Sequence, residues 1–82
     1  VNNFYESNIE IYPNPVENIL NLKSEMLKNS TIFVMNISEQ EIFCAKPFTV
    51  NYQLSTINYP SGIYFLTIKG SNYLYRTKFV KQ

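Results

Sequence analysis

The stretch Tyr59-Pro60-Ser61-Gly62-Ile63-Tyr64-Phe65-Leu66-Thr67-Ile68 decides the fold. Its Pro-Ser-Gly turn is followed by a run that is apolar or β-branched on both faces, the composition of a strand buried on both sides. Side chains alternate along a strand, so Tyr64, Leu66 and Ile68 share one face. We therefore predict a central β-strand here.

Similar short runs recur on both sides of this strand. Period-two patterns occur at residues 9–12, 19–22, 31–35, 41–44, 48–52 and 73–80, and turn residues separate them. About seven short strands with turns roughly every 8–12 residues predict an all-β fold, an immunoglobulin-like antiparallel β-sandwich. The longest helical candidate, at residues 25–30, is too short to matter for this architecture.

The alternation also predicts a core. Leu20 and Leu22 share one face of their strand, and Ile32 and Val34 share one face of theirs. Cys44 lies in a strand run, and we expect it to be a small core residue.

Composition excludes most catalytic chemistry. The chain of 82 residues has one cysteine, no histidine and no aspartate. A Ser-His-Asp triad, a Cys-His pair, a histidine-ligated metal site and an internal disulfide are therefore impossible within it. Glu6, Glu10 and Glu17 lie in a turn-rich segment that suggests no cleft. We expect no enzyme, no catalytic residue, no metal and no cofactor.

Charge is divided unevenly along the chain. Residues 1–41 carry two lysines against six glutamates, whereas residues 42–82 carry four lysines and one arginine without an acidic residue. Such a basic segment suits nucleic acid, anionic lipid or an acidic partner. We prefer the interpretation that the two halves neutralise each other after folding. No apolar run approaches the length of a membrane helix, so we expect neither nucleic-acid binding nor membrane insertion.

Three segments together carry a resemblance to a known family. They are Ile11-Tyr12-Pro13-Asn14-Pro15-Val16 with its following leucines, Tyr59-Pro60-Ser61-Gly62-Ile63-Tyr64-Phe65-Leu66, and Lys78-Phe79-Val80-Lys81-Gln82. Their order and spacing over residues 9–82 resemble a type A C-terminal sorting domain of the type IX (Por) secretion system of Bacteroidetes-like bacteria. Residues 1–8 then read as a linker remnant of a larger cargo protein.

The resemblance implies a secretion signal. A cargo protein would reach the periplasm by its own N-terminal signal, and the folded domain would direct it through the outer-membrane translocon to the cell surface or medium. A cell-surface sortase would then remove the domain. The segments implied in translocon recognition comprise Pro13, Asn14, Pro15, Gly62, Ile63, Tyr64, Lys78, Phe79, Val80 and Lys81. We also expect Lys78 and Lys81 to act as a pair of charges that guides docking onto an acidic surface.

Two positions depart from the family pattern. Glu39 stands where the family has a turn glycine, so the type of turn at residues 38–40 stays open. Tyr59 stands where the family has leucine and retains the apolar bulk.

A second interpretation belongs to another functional class. An immunoglobulin-like accessory module of an adhesin or a secreted enzyme would bind glycan or protein through exposed tyrosines, namely Tyr52, Tyr59, Tyr73 and Tyr75. Under either interpretation, a small sandwich with long edge strands could pair with a second copy of itself.

Overall fold

Two antiparallel sheets make up the computed structural model, which describes residues 9–82. The strands are β1 (Glu10–Tyr12), β2 (Ile19–Lys23), β3 (Thr31–Met35), β4 (Glu41–Ala45), β5 (Asn51–Ser55), β6 (Gly62–Lys69) and β7 (Leu74–Lys81). One sheet has the order β1-β2-β5 and the other β4-β3-β6-β7. The prediction of an all-β sandwich is confirmed. The linker predicted at residues 1–8 lies outside the described residues.

The predicted central strand is confirmed as well. β6 lies between β3 and β7, and Tyr64, Leu66 and Ile68 are all buried. The Tyr64 hydroxyl donates a hydrogen bond to the Pro60 carbonyl oxygen four residues upstream. A tyrosine in this position, near the start of the sixth strand and bonded back to the preceding corner, is a hallmark of immunoglobulin-like sandwiches.

The core follows the alternation of the strands. Leu20 and Leu22 from one sheet face Ile32 and Val34 from the other, and all four are buried as predicted. Other fully buried side chains complete this core: Val16, Leu27, Leu54 and Phe79. Their burial supplies most of the stability, because apolar area removed from water is the main favourable term in folding.

The short helical segment contributes more than expected. Residues Glu25–Asn29 form a 3₁₀ helix whose first turn is capped by the Ser24 hydroxyl, which accepts a hydrogen bond from the Met26 amide at 3.0 Å. The helix projects Leu27 into the core, where it is fully buried. The expectation that this segment is too short to matter was wrong.

The fifth strand begins later than predicted. β5 starts at Asn51, because residues 46–50 carry the chain from β4 in one sheet to β5 in the other. Pro47 is buried in this crossover, whereas Phe48 is 91% exposed. Since proline has no amide proton to donate to a ladder, the crossover at Pro47 is a natural interruption of strand pairing.

The expectation that Cys44 is a core residue was also wrong. Cys44 lies in β4 as predicted, but it is exposed. It pairs with Phe33, whose side chain is half-buried on the outer face of the sheet, while Phe43 and Ala45 pack against the core. The register, and not the apolar character of the residue, decides which face Cys44 occupies.

The turn between β3 and β4 keeps the conformation that a glycine would adopt. Glu39 has φ of 64°, in the left-handed region that costs residues with a side chain energy. Asn36 compensates locally, since its side-chain oxygen accepts hydrogen bonds from the Ser38 and Gln40 amides at 2.9 and 3.0 Å. The amide of Glu39 also donates to the Asn36 carbonyl at 2.9 Å.

Candidate recognition surface

The Pro13-Asn14-Pro15 segment carries the chain from one sheet to the other. β1 pairs with β2 in the first sheet, and immediately after the two prolines Val16 forms a parallel bridge with Lys81 of β7 in the second sheet. Both prolines follow cis peptide bonds, and residues 13–15 are exposed. The segment is therefore a surface bend next to the last strand.

Backbone hydrogen bonds fasten this bend to β7. The Val16 amide donates to the Val80 carbonyl at 2.8 Å, and the Gln82 amide donates to the Val16 carbonyl at 2.9 Å. The side-chain oxygen of Asn14 accepts from the Val80 amide at 3.0 Å. Asn14 thus bonds to a residue 66 positions away in the sequence, and the first and third segments of the sequence resemblance lie side by side.

The start of β6 completes the arrangement. Gly62 pairs with Lys81, Ile63 with Val80 and Tyr64 with Phe79. Gly62 has φ of 150°, a conformation that residues with a Cβ rarely adopt. All three segments therefore meet at one end of the sandwich.

The ten residues predicted for recognition divide by exposure. Tyr64, Phe79 and Lys81 are buried. The exposed members are Pro13, Asn14, Pro15, Gly62, Ile63, Lys78 and Val80, and we call them the three-segment surface. A partner protein can touch this surface directly, whereas the three buried residues only support it.

Ile63 and Val80 form the apolar part of the three-segment surface. They are opposite each other on the outer face of the sheet and are 39% and 38% exposed. Directly paired cross-strand side chains lie close enough to form a continuous patch. Lys78 lies on the same face, two residues from Val80.

Lys78 and Lys81 do not act as a pair. Three positions apart on a strand, they point to opposite faces. Lys78 is exposed, but Lys81 is only 7% exposed, and its ammonium donates to the Thr56 carbonyl oxygen at 2.7 Å inside the sandwich. The expected pair of docking charges is therefore reduced to Lys78.

Arg76 supplies a second cation that sequence reasoning did not single out. Its guanidinium lies 4.5 Å from the centroid of the Phe65 ring on the outer face of the sheet, which is a favourable cation–π geometry. Because Arg76 and Lys78 share a face, the outer side of β7 is positively charged. The sequence did contain a signal for this arrangement, because residues two positions apart on a strand, such as Arg76 and Lys78, lie on the same face.

The tyrosines of the alternative binding module do not form an exposed face. Tyr52, Tyr59, Tyr73 and Tyr75 are all half-buried and pack against the core. Tyr59 and Tyr64 have ring centroids 5.1 Å apart, and the Tyr73 hydroxyl donates to the Met26 carbonyl at 2.8 Å. These rings stabilise the sandwich, and the alternative interpretation loses the exposed tyrosine face that it requires.

The pKa of the Tyr59 hydroxyl is shifted by its surroundings. Burial raises the pKa of its hydroxyl above the ordinary 10.0, and the neighbouring Tyr64 and Tyr52 add to the rise. The hydroxyl is buried and has no hydrogen-bond partner in the described part of the chain.

Residues 9–82 contain no group of acidic, cysteine or histidine side chains that could hold a metal ion. Within the same residues, no helix is long and apolar enough to cross a membrane.

Comparison with known proteins agrees with this geometry. The family model of the secretion system C-terminal sorting domain matches residues 10–82. No curated protein matches the chain. Among solved structures, the chain superimposes with a TM-score of 0.80 and 11% identity on PorZ, described as an essential bacterial surface component of the type-IX secretion system of Porphyromonas gingivalis.

That superposition covers 93% of this chain and 12% of the PorZ chain, and at such low identity it shows a shared fold. The family match, in contrast, extends over almost the whole chain. The chain therefore belongs to the family of secretion system C-terminal sorting domains, which are the sorting signals of type IX secretion and direct export to the cell surface or beyond it.

Proposed function

We propose that the three-segment surface is the part of this sorting signal that the outer-membrane translocon recognises. One observation carries the proposal: the Asn14 side chain accepts a hydrogen bond from the Val80 amide, and Val80 pairs with Ile63. Three segments that are far apart in the sequence are thereby joined into one exposed patch. Its exposed valine and isoleucine offer apolar area, and Lys78 offers a charge at the rim, the usual composition of a protein-binding surface.

The signal is read in its folded form. Phe79 and Lys81 are buried, so the segment 78–82 cannot be presented as a free peptide without opening the core. Members of this family act as sorting signals and are not catalytic. We propose that the domain acts by presenting its shape and surface chemistry for recognition.

We propose the remaining steps by analogy with the family. The cargo enters the periplasm by its own N-terminal signal, the translocon carries cargo and domain across the outer membrane, and a cell-surface sortase removes the domain near or upstream of residues 1–3. Pairing of two copies through an edge strand stays a prediction, and the positive charge on β7 opposes it.

Export of a reporter tests the proposal. The chain is fused to a periplasmic reporter in a bacterium that has the type IX system, and the reporter is quantified in medium and cell fractions. Ile63→Ser combined with Val80→Ser should retain the reporter in the cell. The matched control is Ile57→Ser, since Ile57 is 64% exposed and lies outside the surface.

Charge is tested in the same way with Lys78→Glu against Lys46→Glu, because both lysines are exposed. Each variant is first unfolded in urea to show that its stability is unchanged. Normal export of the folded Ile63→Ser/Val80→Ser variant would contradict the proposal. Truncation after Tyr73 is less informative, because it removes the buried Phe79 and so unfolds the domain.

A further inference from the structure

The outer edge of β7 extends beyond the part that contacts the Pro13–Pro15 bend, and the three-segment surface gives this edge no role. Both backbone groups of Val80 point away from β6, since its amide bonds to Asn14 and its carbonyl to Val16. The β6–β7 register is continuous from Lys81 to Leu74. In an antiparallel ladder every second residue points its amide and carbonyl to the same side. Leu74, Arg76 and Lys78 therefore direct theirs outward too.

Within residues 9–82, no backbone hydrogen bond covers these outward groups. The Pro13–Pro15 bend and Val16 cover the edge at Val80 and end there. The other edges are shorter or irregular: β1 has three residues, β5 has five, and the ladder to β4 shifts register at Val34 and Met35. β7 is an eight-residue strand without such an irregularity.

Charge selects what can pair with this edge. The side chains of Leu74, Arg76 and Lys78 are exposed on the outer face, so a strand added beside β7 would place its own alternate side chains next to two cations. Residues 42–82 contain no acidic residue to neutralise them. Edge lysines commonly prevent unwanted pairing, and the same charges admit a strand with carboxylates at those positions.

We propose that the β7 edge accepts one extended strand of a partner that carries glutamate or aspartate at alternate positions. The backbone of that strand pairs with Leu74, Arg76 and Lys78, and its carboxylates lie beside the guanidinium and the ammonium. This addition of a strand to an exposed edge is a common mode of peptide recognition. The inference rests on the proposed function, because it assigns the partner strand to the secretion machinery.

A second copy of the chain fits the edge less well. In the antiparallel register that pairs all three outward residues, Arg76 of one copy lies directly opposite Arg76 of the other, and Leu74 lies opposite Lys78. Like charges directly opposite each other on neighbouring strands are destabilising. An acidic strand removes that repulsion and replaces it with attraction.

Binding is tested first with a synthetic peptide of alternating glutamate and valine, in an extended, terminally blocked form. Its lysine-valine counterpart is the control. Nuclear magnetic resonance of the whole chain should show shifts and slower hydrogen exchange at the Leu74, Arg76 and Lys78 amides with the acidic peptide. Absence of these changes, equal changes with both peptides, changes at β4 or β5 instead, or dimerisation of the free chain through β7 would overturn the proposal.

The export assay separates the effect of the outward backbone amide of Arg76 from the effect of its charge. Arg76→Pro removes the outward amide and leaves the ladder to β6 intact, because that ladder uses the alternate residues. Arg76→Ala loses the same charge but keeps the amide. Export of Arg76→Pro should fall roughly two- to tenfold below that of Arg76→Ala, the effect of one backbone hydrogen bond.

Equal export of the two variants would overturn the edge proposal while leaving the three-segment surface untouched. Loss of export only in Ile63→Ser/Val80→Ser would likewise separate the two. If urea unfolding shows that Arg76→Pro is not folded, the peptide titration of the unaltered chain tests the edge proposal by itself.

Discussion

The ammonium of Lys81 and the carbonyl oxygen of Thr56 are 2.7 Å apart inside the sandwich. Lys81 ends β7 in one sheet, and Thr56 follows the last residue of β5 in the other, so this hydrogen bond joins the sheets. The Thr56 hydroxyl and amide in turn donate to the Asn18 carbonyl. A lysine that sequence reasoning assigned to docking is therefore part of the structure that holds the last strand in position.

Removal of the Lys81 ammonium should destabilise the domain. Lys81→Met keeps most of the aliphatic chain and leaves the buried Thr56 carbonyl without its partner, which costs about 1–3 kcal/mol. Lys78→Met makes the same chemical change at an exposed position and should alter the free energy of unfolding by less than about 0.5 kcal/mol. Urea unfolding measures both. Equal effects at the two lysines would contradict the buried hydrogen bond.

The Asn14 side chain should protect the Val80 amide. Asn14→Ala removes the acceptor and should cost about 1 kcal/mol, whereas Asn14→Asp keeps an oxygen in place and should cost less. Native-state hydrogen exchange measures this contact directly, and the Val80 amide should exchange faster in Asn14→Ala. An unchanged exchange rate would mean that the bend is held to β7 by the Val16 bonds alone.

A glycine at position 39 should stabilise the turn between β3 and β4. Glu39 has φ of 64°, and relief of this left-handed conformation is worth about 1 kcal/mol. Glu41→Gly makes the identical exchange within β4, where it should destabilise by roughly 0.5–1 kcal/mol. Thermal unfolding of the two variants should therefore give shifts of opposite sign. Shifts of the same sign would refute the conformational explanation.

The unpartnered hydroxyl of Tyr59 should lower stability and make it depend on pH. Tyr59→Phe removes a buried polar group and should raise the free energy of unfolding by about 1 kcal/mol. The raised pKa means that the folded state holds the phenolic proton more tightly than the unfolded state. The stability that this tighter proton binding contributes is fully present below about pH 10 and is lost as the pH rises through the pKa of Tyr59 in the folded state.

Above about pH 10, the free energy of unfolding of the unaltered chain should therefore fall further below that of Tyr59→Phe. Tyr12→Phe is the matched control, because Tyr12 is 48% exposed and forms no part of the core. A pH dependence that Tyr59→Phe leaves unaltered would assign the effect to other groups.

The positions of the strands were readable in the sequence because they depend on local patterns. Alternation over residues 63–68 predicted the central strand, and the burial of Leu20, Leu22, Ile32 and Val34 followed from the same period of two. Turn residues marked most boundaries, apart from the start of β5. The three segments of the family resemblance were equally visible, since they consist of consecutive residues.

The sheet face on which an individual residue lies, and the contacts that it makes, depend on strand register and on distant residues. Cys44 is exposed because of its register against Phe33, and Lys81 is buried because its position on β7 faces Thr56. Neither fact has a signal in the neighbouring residues. A polar side chain can be buried wherever a distant carbonyl satisfies it.

By itself, the sequence indicated a β-sandwich without histidine or aspartate, and it supplied the segments of a sorting domain. The tertiary structure alone decided that Asn14, Ile63 and Val80 form one surface, and that Arg76 and Lys78 lie on a strand whose outer edge no other strand within residues 9–82 covers. The physical reason is that strand alternation is a property of adjacent residues, whereas pairing between strands joins residues that the chain keeps far apart.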